Sequence, residues 1–414
     1  MDTKVSPARK TAFRVLKRVY GGGYASDLLR IETADLDTRD AGLAEALVFG
    51  CLRYQAQLDY LIAHFSGRPQ PKLDEEVRIA LRLGIFQLRY LERVPPHAAV
   101  TESVESVKKA HKLSAAAFVN AVLRKVDRKP VKWPDRATEF SVPSWILERW
   151  VKNYGSQAAE SIARASLQEA LNVVNPTTGR QQDPASQEIV PLLGIEPGMT
   201  LLDICAAPGN KTAQAVAAGA KVVACDRYAK RVAEVSAEAE RVAADATLPL
   251  PFRAKFDRIL VDAPCSGTGT LARNPEIRWR LQPSDIERFT DVQKRILENA
   301  MRALKPGGRL AVSDVVVRGA VLQDIRRSVE LWVGCVAGAL EETEYATKLR
   351  TAGFIDVDID FWRVYRVEEA RGFLAESGID VDRIAPQVTD RFASAFIRAK
   401  KPEAKSCCGP TCCH

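Results

Sequence analysis

Apolar residues recur at helical spacing through four stretches of the first 130 residues. These are Ala12–Val19, Ala44–Phe65, Val77–Leu91 and Ala115–Val126. Gly21-Gly22-Gly23 and Val94-Pro95-Pro96-His97 interrupt the pattern, and strand alternation is absent, so residues 6–130 are predicted to form an all-α bundle. Beyond residue 200 the pattern changes to short apolar runs alternating with helical stretches. Leu201-Leu202-Asp203-Ile204, Lys221-Val222-Val223-Ala224-Cys225 and Phe256-Asp257-Arg258-Ile259-Leu260-Val261 read as strands, and Lys305-Pro306-Gly307-Gly308 reads as the turn into another. Such alternation predicts an α/β sheet of parallel strands with crossover helices. Leu322–Ala339 and Glu341–Ala352 read as helices. Asp356–Trp362 and Phe392–Arg398 alternate as the strands that would close the sheet.

Two loops in this frame carry candidate chemistry. The first run ends in Asp203, and Cys205-Ala206-Ala207-Pro208-Gly209-Asn210-Lys211 follows before a helical pattern resumes. A small-residue turn at a helix N-terminus brings backbone N–H groups close to a ligand and favours negative charge. Asp226 closes the second strand, where an acidic residue can hold a ribose hydroxyl pair. The same residues also suit an ordinary βαβ packing unit. The other loop, Asp262-Ala263-Pro264-Cys265-Ser266-Gly267-Thr268-Gly269-Thr270, follows the Phe256–Val261 strand, at the edge where open α/β sheets place ligands. A cysteine directly after proline in a polar glycine-rich loop is poorly placed to fill a core; it suits an exposed thiol that ionises and reacts. Arg273-Asn274-Pro275-Glu276-Ile277-Arg278-Trp279-Arg280 could hold a nucleotide through arginine and stacking, or Trp279 could be plain core.

Charge sharpens the division. The chain has 414 residues and a formal charge of +8, with +10 carried by residues 1–318 and −3 by residues 319–400. Basic residues cluster at both ends of the helical region: Arg9, Lys10, Arg14, Lys17 and Arg18, then Lys108, Lys109, Lys112, Arg124, Lys125, Arg128 and Lys129. They could track an RNA backbone, or simply solvate helix faces. No apolar run approaches membrane length and the chain opens charged, as Met1-Asp2-Thr3-Lys4, so a soluble, cytoplasmic protein without a membrane partner is expected. Four of the nine cysteines, Cys407, Cys408, Cys412 and Cys413, fall in the last eight residues. They read as soft-metal ligands or as an exposed tail open to oxidation.

Val94-Pro95-Pro96-His97-Ala98-Ala99-Val100 and Phe118-Val119-Asn120-Ala121-Val122-Leu123-Arg124 resemble the NusB-like domain of the Sun/RsmB ribosomal RNA cytosine methyltransferases. The resemblance implies a helical RNA-binding domain over residues 1–132, a helical linker over 133–187 and a Rossmann-like class I methyltransferase domain over 188–318. Ser141-Val142-Pro143-Ser144-Trp145 resembles the family's linker, but only Leu167–Gln181 separates the helix after it from Gln182–Gln187, less than the family carries. By the same carry-over, Cys205, Ala206, Ala207, Pro208, Gly209, Asn210 and Lys211 wrap the methionine end of S-adenosylmethionine. Asp226 holds the ribose, Asp245 lies beside the adenine, and Asp262 completes the set. Asn210 stands where the family has glycine, a small departure because asparagine tolerates left-handed backbone angles.

The implied substrate is carbon 5 of a cytosine in 16S ribosomal RNA. That carbon is a poor nucleophile until a thiolate adds to carbon 6, and the base must be flipped or single-stranded. Cys265 is the catalytic candidate. The family's fifth strand ends in Thr-Cys, the latter being its nucleophile; here Asp314 and Val315 stand at those positions.

Beyond that strand, Ser313-Asp314-Val315, Glu330–Leu340 and the cysteine-rich end resemble arsenite S-adenosylmethionine methyltransferases. That likeness covers residues 319–400, with 401–414 as the tail. It implies an alternative in which Cys265, Cys335, Cys407, Cys408, Cys412 and Cys413 hold arsenite or a soft metal. A third alternative is a non-catalytic RNA- or metalloid-binding fusion.

Overall fold

The computed structural model describes residues 5–68, 72–154, 156–169, 173–319, 341–364 and 392–403. They divide into two compact units. One comprises residues 1–152, 159–170 and 267–281; the other comprises 153–158, 171–266 and 282–414.

The first unit is helical, as the pattern predicts. Its helices are α1 (Pro7–Tyr20), α2 (Ala25–Glu32), α3 (Thr38–Arg53), α4 (Gln55–Ser66), α5 (Glu75–Tyr90), α6 (Pro96–Lys109) and α7 (Ala116–Leu123). The short α8 (Arg136–Glu139) leads to α9 (Ser144–Tyr154) and α10 (Ser156–Ser166). Helix α5 buries an unbroken run from Ile79 to Gln87 and touches α1, α3, α4, α6 and α7, so it is the centre of the bundle. The Ala44–Phe65 pattern resolves into two helices jointed at Tyr54, whose ring stacks on Tyr90 at 4.7 Å and Phe86 at 6.2 Å.

Close helix approach depends on two glycines. A Cβ on Gly50 would fall 2.0 Å from the Phe86 ring, and one on Gly84 would fall 2.6 Å from the Leu123 side chain. The buried charge on α5 is matched in kind. Arg82 donates two bonds to the Asp59 carboxylate, at 2.8 and 2.6 Å, and a third to the Tyr20 hydroxyl at 2.6 Å.

The second unit carries α11 (Pro184–Gln187) and a four-stranded parallel sheet. Its strands are β1 (Thr200–Asp203), β2 (Lys221–Asp226), β3 (Glu240–Ala243) and β4 (Arg258–Leu260), in the order β3-β2-β1-β4. Helix α12 (Asn210–Ala217) joins β1 to β2, and the short α13 (Ala229–Val232) joins β2 to β3. After α14 (Ile277–Arg280) and α15 (Pro283–Ala303) come β5 (Arg309–Val317), α16 (Glu342–Thr351), β6 (Ile355–Val364) and β7 (Phe392–Lys400). The last three strands form, as their alternation predicts, but pair antiparallel in a three-stranded sheet of their own, in the order β5-β7-β6, where the sequence reading has them close the first sheet. Phe256 and Leu304 form a parallel bridge that sets the lead-in of β5 beside that of β4. The helix read over Leu322–Ala339 lies outside the described residues.

One segment sits differently from the sequence reading. Gly267–Leu281, placed by sequence inside the α/β domain, belongs to the helical unit. Its charged side chains find backbone carbonyls of that unit, and those bonds outweigh chain order.

Gly50→Ala should therefore cost about 1–3 kcal/mol through overpacking against Phe86. The measurement is the urea midpoint at constant m-value; an unmoved midpoint would mean that the ring has room to yield.

Candidate active site

The site is built at the carboxyl ends of the parallel strands. Strand β1 ends in Asp203, which is 1% exposed and accepts a 2.7 Å bond from the Thr212 hydroxyl on α12 through one carboxylate oxygen. Its other oxygen is buried and without a hydrogen-bond partner. Burial pushes this carboxyl up to about 7, the Thr212 bond opposes the rise, and the Asp262 and Asp226 charges add to it.

The turn after β1 is stitched to both neighbouring strands. Ile204 N–H donates to the Leu260 carbonyl at 3.0 Å, and Ala206 N–H donates to the Cys225 carbonyl at 2.8 Å. Gly209 adopts φ +98°, and a Cβ there would meet Val235 Cα at 3.1 Å. Only glycine fits both constraints. Helix α12 starts directly after it, so its first N–H groups are left for a ligand.

Asn210 corrects the sequence reading: the left-handed angle falls on Gly209, and Asn210 is the first helical residue. Its side chain donates to the Gln181 carbonyl at 3.1 Å. The shortened segment before it makes a tight turn, with Asn175 N–H donating to the Arg180 carbonyl at 2.8 Å. Buried Gln182 then donates to the Gln214 side chain on α12 at 2.8 Å, a support without any local signal in the sequence.

The remaining carboxylates stand at the same edge. Asp226, 5% exposed, accepts from Tyr228 N–H at 3.1 Å and lies 3.6 Å from the Arg231 guanidinium. Asp245 follows β3 and accepts from the Thr247 N–H at 2.9 Å and its hydroxyl at 2.7 Å, with Arg227 at 3.2 Å. The Thr247 bonds hold its carboxyl below the usual range. Asp262 follows β4 and pairs with Lys211 at 2.7 Å. Asp226, Asp245, Asp262 and the Cys205–Lys211 turn thus share one rim.

That rim suppresses two thiols. Burial, reinforced by Asp226, pushes Cys205 up to about 12, and burial with Asp203 pushes Cys225 up to about 11. Cys51 is buried in the helical unit, and its thiol is also pushed up. Cys265 is the exposed one of the four described cysteines. The loop carrying it is held where the Pro264 carbonyl accepts from Gln293 at 3.0 Å. On β5, Asp314 stands opposite Ala395 and Val315 opposite Ser394, so no thiol occupies that strand.

The nucleotide-holding role does not fit Arg278 and Trp279. Arg278 is 0% exposed, and Trp279 donates to the Leu52 carbonyl at 2.7 Å, inside the helical unit. Several basic residues of the expected RNA track are also paired, Lys17 with Glu76 at 2.7 Å, Lys112 with Asp74 at 2.8 Å, and Arg14 and Arg18 with Glu32. Among the described residues, no group of three metal-ligating side chains occurs. Cys335, Cys407, Cys408, Cys412 and Cys413 lie outside the described residues.

Asp203 generates a pH prediction. The folded state holds its proton more tightly than the unfolded chain does. Its contribution to stability is therefore full below the ordinary value of 3.8 and is lost as pH rises through about 7. Asp203→Asn keeps an acceptor for Thr212 and should remove about 2–4 kcal/mol of pH dependence across this window. Denaturation profiles of the two proteins that run parallel would show that Asp203 is ionised throughout.

Residues 6–128 match the NusB family, and residues 190–319 match the 16S rRNA methyltransferase RsmB/F family. The chain is 35% identical to the ribosomal RNA small subunit methyltransferase B of Thermus thermophilus, over 74% of this chain and 82% of that protein. It is 30% identical to the probable ribosomal RNA small subunit methyltransferase B of Bacillus subtilis, over 72% and 82%. The crystal structure of PH0851 shares the fold, with a TM-score of 0.64 at 16% identity over 96% of this chain and 99% of that one. These likenesses give the arsenite reading of residues 319–414 no support. With such identity over most of both lengths, the chain belongs to the ribosomal RNA small subunit methyltransferase B family.

Proposed function

We propose that this S-adenosylmethionine-dependent methyltransferase modifies carbon 5 of a cytosine in 16S ribosomal RNA, with the rim at the strand ends as its cofactor site and Cys265 as its thiol. The observation that carries the reading is the coincidence of a glycine-cradled turn, three strand-end carboxylates and an exposed thiol on one sheet edge, in a chain of this family.

The residues present fit the cofactor. The left-handed Gly209 starts α12 directly at the end of the turn, and a buried Asp203 oxygen at the end of β1 is unpartnered. The turn Cys205–Lys211 would enclose the amino-acid end, Asp226 would accept from the ribose hydroxyls, and Asp245 and Asp262 would flank the adenine. Bound there, S-adenosylmethionine supplies an electrophilic methyl group. Lys211 neutralises Asp262 at 2.7 Å, which limits the negative field on an incoming RNA. Cys265, as thiolate, would add to carbon 6 of an extruded cytosine and make carbon 5 nucleophilic.

Val315 bears on the rate. Valine cannot add to a base, and the thiol that the Sun/RsmB resemblance expects on β5 is missing, so turnover is slow. RNA is held by the NusB-like unit, whose basic residues include Lys10, Lys109 and Lys125. Among the described residues no helix is long and apolar enough to cross a membrane, and a cytoplasmic site of action suits an RNA substrate.

Asp226→Ala should weaken S-adenosylmethionine binding about tenfold to a hundredfold, through loss of a charged acceptor. Isothermal titration with unchanged affinity would remove Asp226 from the site. Methyl incorporation into 16S RNA should rise when Asp314→Thr and Val315→Cys are combined. Brisk incorporation by the unaltered chain that persists in Cys265→Ala would refute the role given to Cys265.

A further inference from the structure

We infer that Arg278 is a positioning residue for Cys265, pinning the loop that follows the thiol to the backbone of the helical unit. The inference rests on the reading of Cys265 as the reactive thiol.

Arg278 has no carboxylate among its hydrogen-bond partners. Its guanidinium donates to the carbonyls of Ser141 at 3.0 Å, Ser166 at 2.9 Å, Leu271 at 3.2 Å and Arg53 at 3.5 Å. Burying a charge without a counter-ion is costly, and burial lowers this guanidinium to about 10. An apolar side chain would fill the same space at less cost, yet could not tie four chain segments together. The flanking residues are held as firmly. Glu276 accepts from Ala25 N–H at 2.9 Å, and Arg280 donates to the Val19 carbonyl at 2.6 Å.

The anchor reaches the thiol loop through a short braced segment. Thr270 closes a turn on the Gly267 carbonyl with its N–H and its hydroxyl, both at 2.9 Å. Asn274 N–H donates to the Thr270 carbonyl at 2.7 Å. The Ile277 side chain lies so close that a Cβ on Gly267 would meet it at 2.8 Å, and Gly267 itself has φ +71°. Gly267 and Arg278 therefore move as one body. Cys265 stands two residues before Gly267, at most about 7 Å of chain. Upstream, Lys211 holds Asp262 at 2.7 Å and Gln293 holds the Pro264 carbonyl at 3.0 Å. The thiol thus sits two residues before a segment that Arg278 holds, and Arg278 is the fixture on its downstream side.

The test is the rate at which iodoacetamide alkylates Cys265 in the full chain, read by mass spectrometry of the peptide that contains it. Arg278→Met should change that rate at least about fivefold, because thiol reactivity follows its surroundings. S-adenosylmethionine affinity should stay within about twofold, and the loss in methylation should fall on kcat rather than on KM for RNA. Arg278→Lys should restore the rate only in part, since a single ammonium cannot span four carbonyls. Gly84→Ala crowds Leu123 in the same unit, at a helix that supplies no carbonyl to Arg278, and should leave the Cys265 rate unchanged. Should Arg278→Met not fold, Ile277→Ala loosens the brace at Gly267 with the guanidinium intact, and a changed Cys265 rate is again expected. An unchanged rate in a folded variant, or an equal change in Gly84→Ala, overturns the inference. If Cys265→Ala still methylates RNA while Arg278→Met alters the alkylation rate, the role of the thiol fails and the positioning stands.

Discussion

The left-handed turn at Gly209 is the constraint on which the α/β unit depends. It lets the chain reverse from β1 into α12 with Val235 only 3.1 Å from where a side chain would begin. Because the helix starts at once, its first N–H groups point at the rim where β1, β2 and β4 end. The turn is then locked from three directions, by the Leu260 and Cys225 carbonyls and by the Gln182–Gln214 bond. Backbone geometry shapes the rim, and the side chains around it tune its charge.

That charge is crowded and negative. Burial raises the proton affinity of Asp203, the nearby Asp262 and Asp226 charges add to the rise, and Asp262 is itself paired with Lys211. Burial, with that field added to it, holds the Cys205 and Cys225 thiols in their neutral form. The exposed one of the four described cysteines, Cys265, stands farther along the chain.

Much of this was legible in the sequence, for physical reasons that differ by segment. The helices and strands followed from apolar spacing, because each element buries one face or both. Strand-end Asp226 and the small-residue turn were legible because their position relative to a strand defines their use. Arg278 was not. A run of charged residues usually faces water, and nothing local announces carbonyls waiting up to 225 positions away. Nor did local sequence show the partners of the basic residues on α1: Glu76 meets Lys17 and Glu32 meets Arg18 only in the fold. Asn210 was assigned an unusual backbone angle that its neighbour Gly209 carries instead.

The placement of Gly267–Leu281 bears on how such a protein can be inherited. The helical unit is completed by residues encoded more than 100 positions after its last helix, and they arrive only once the first four strands of the sheet have been made. A gene fragment ending at the linker would specify a bundle with Arg53, Ser141 and Ser166 facing an unfilled gap. A fragment beginning at the sheet would carry a buried-type arginine with nothing to bury it. Neither half carries its full set of packing partners.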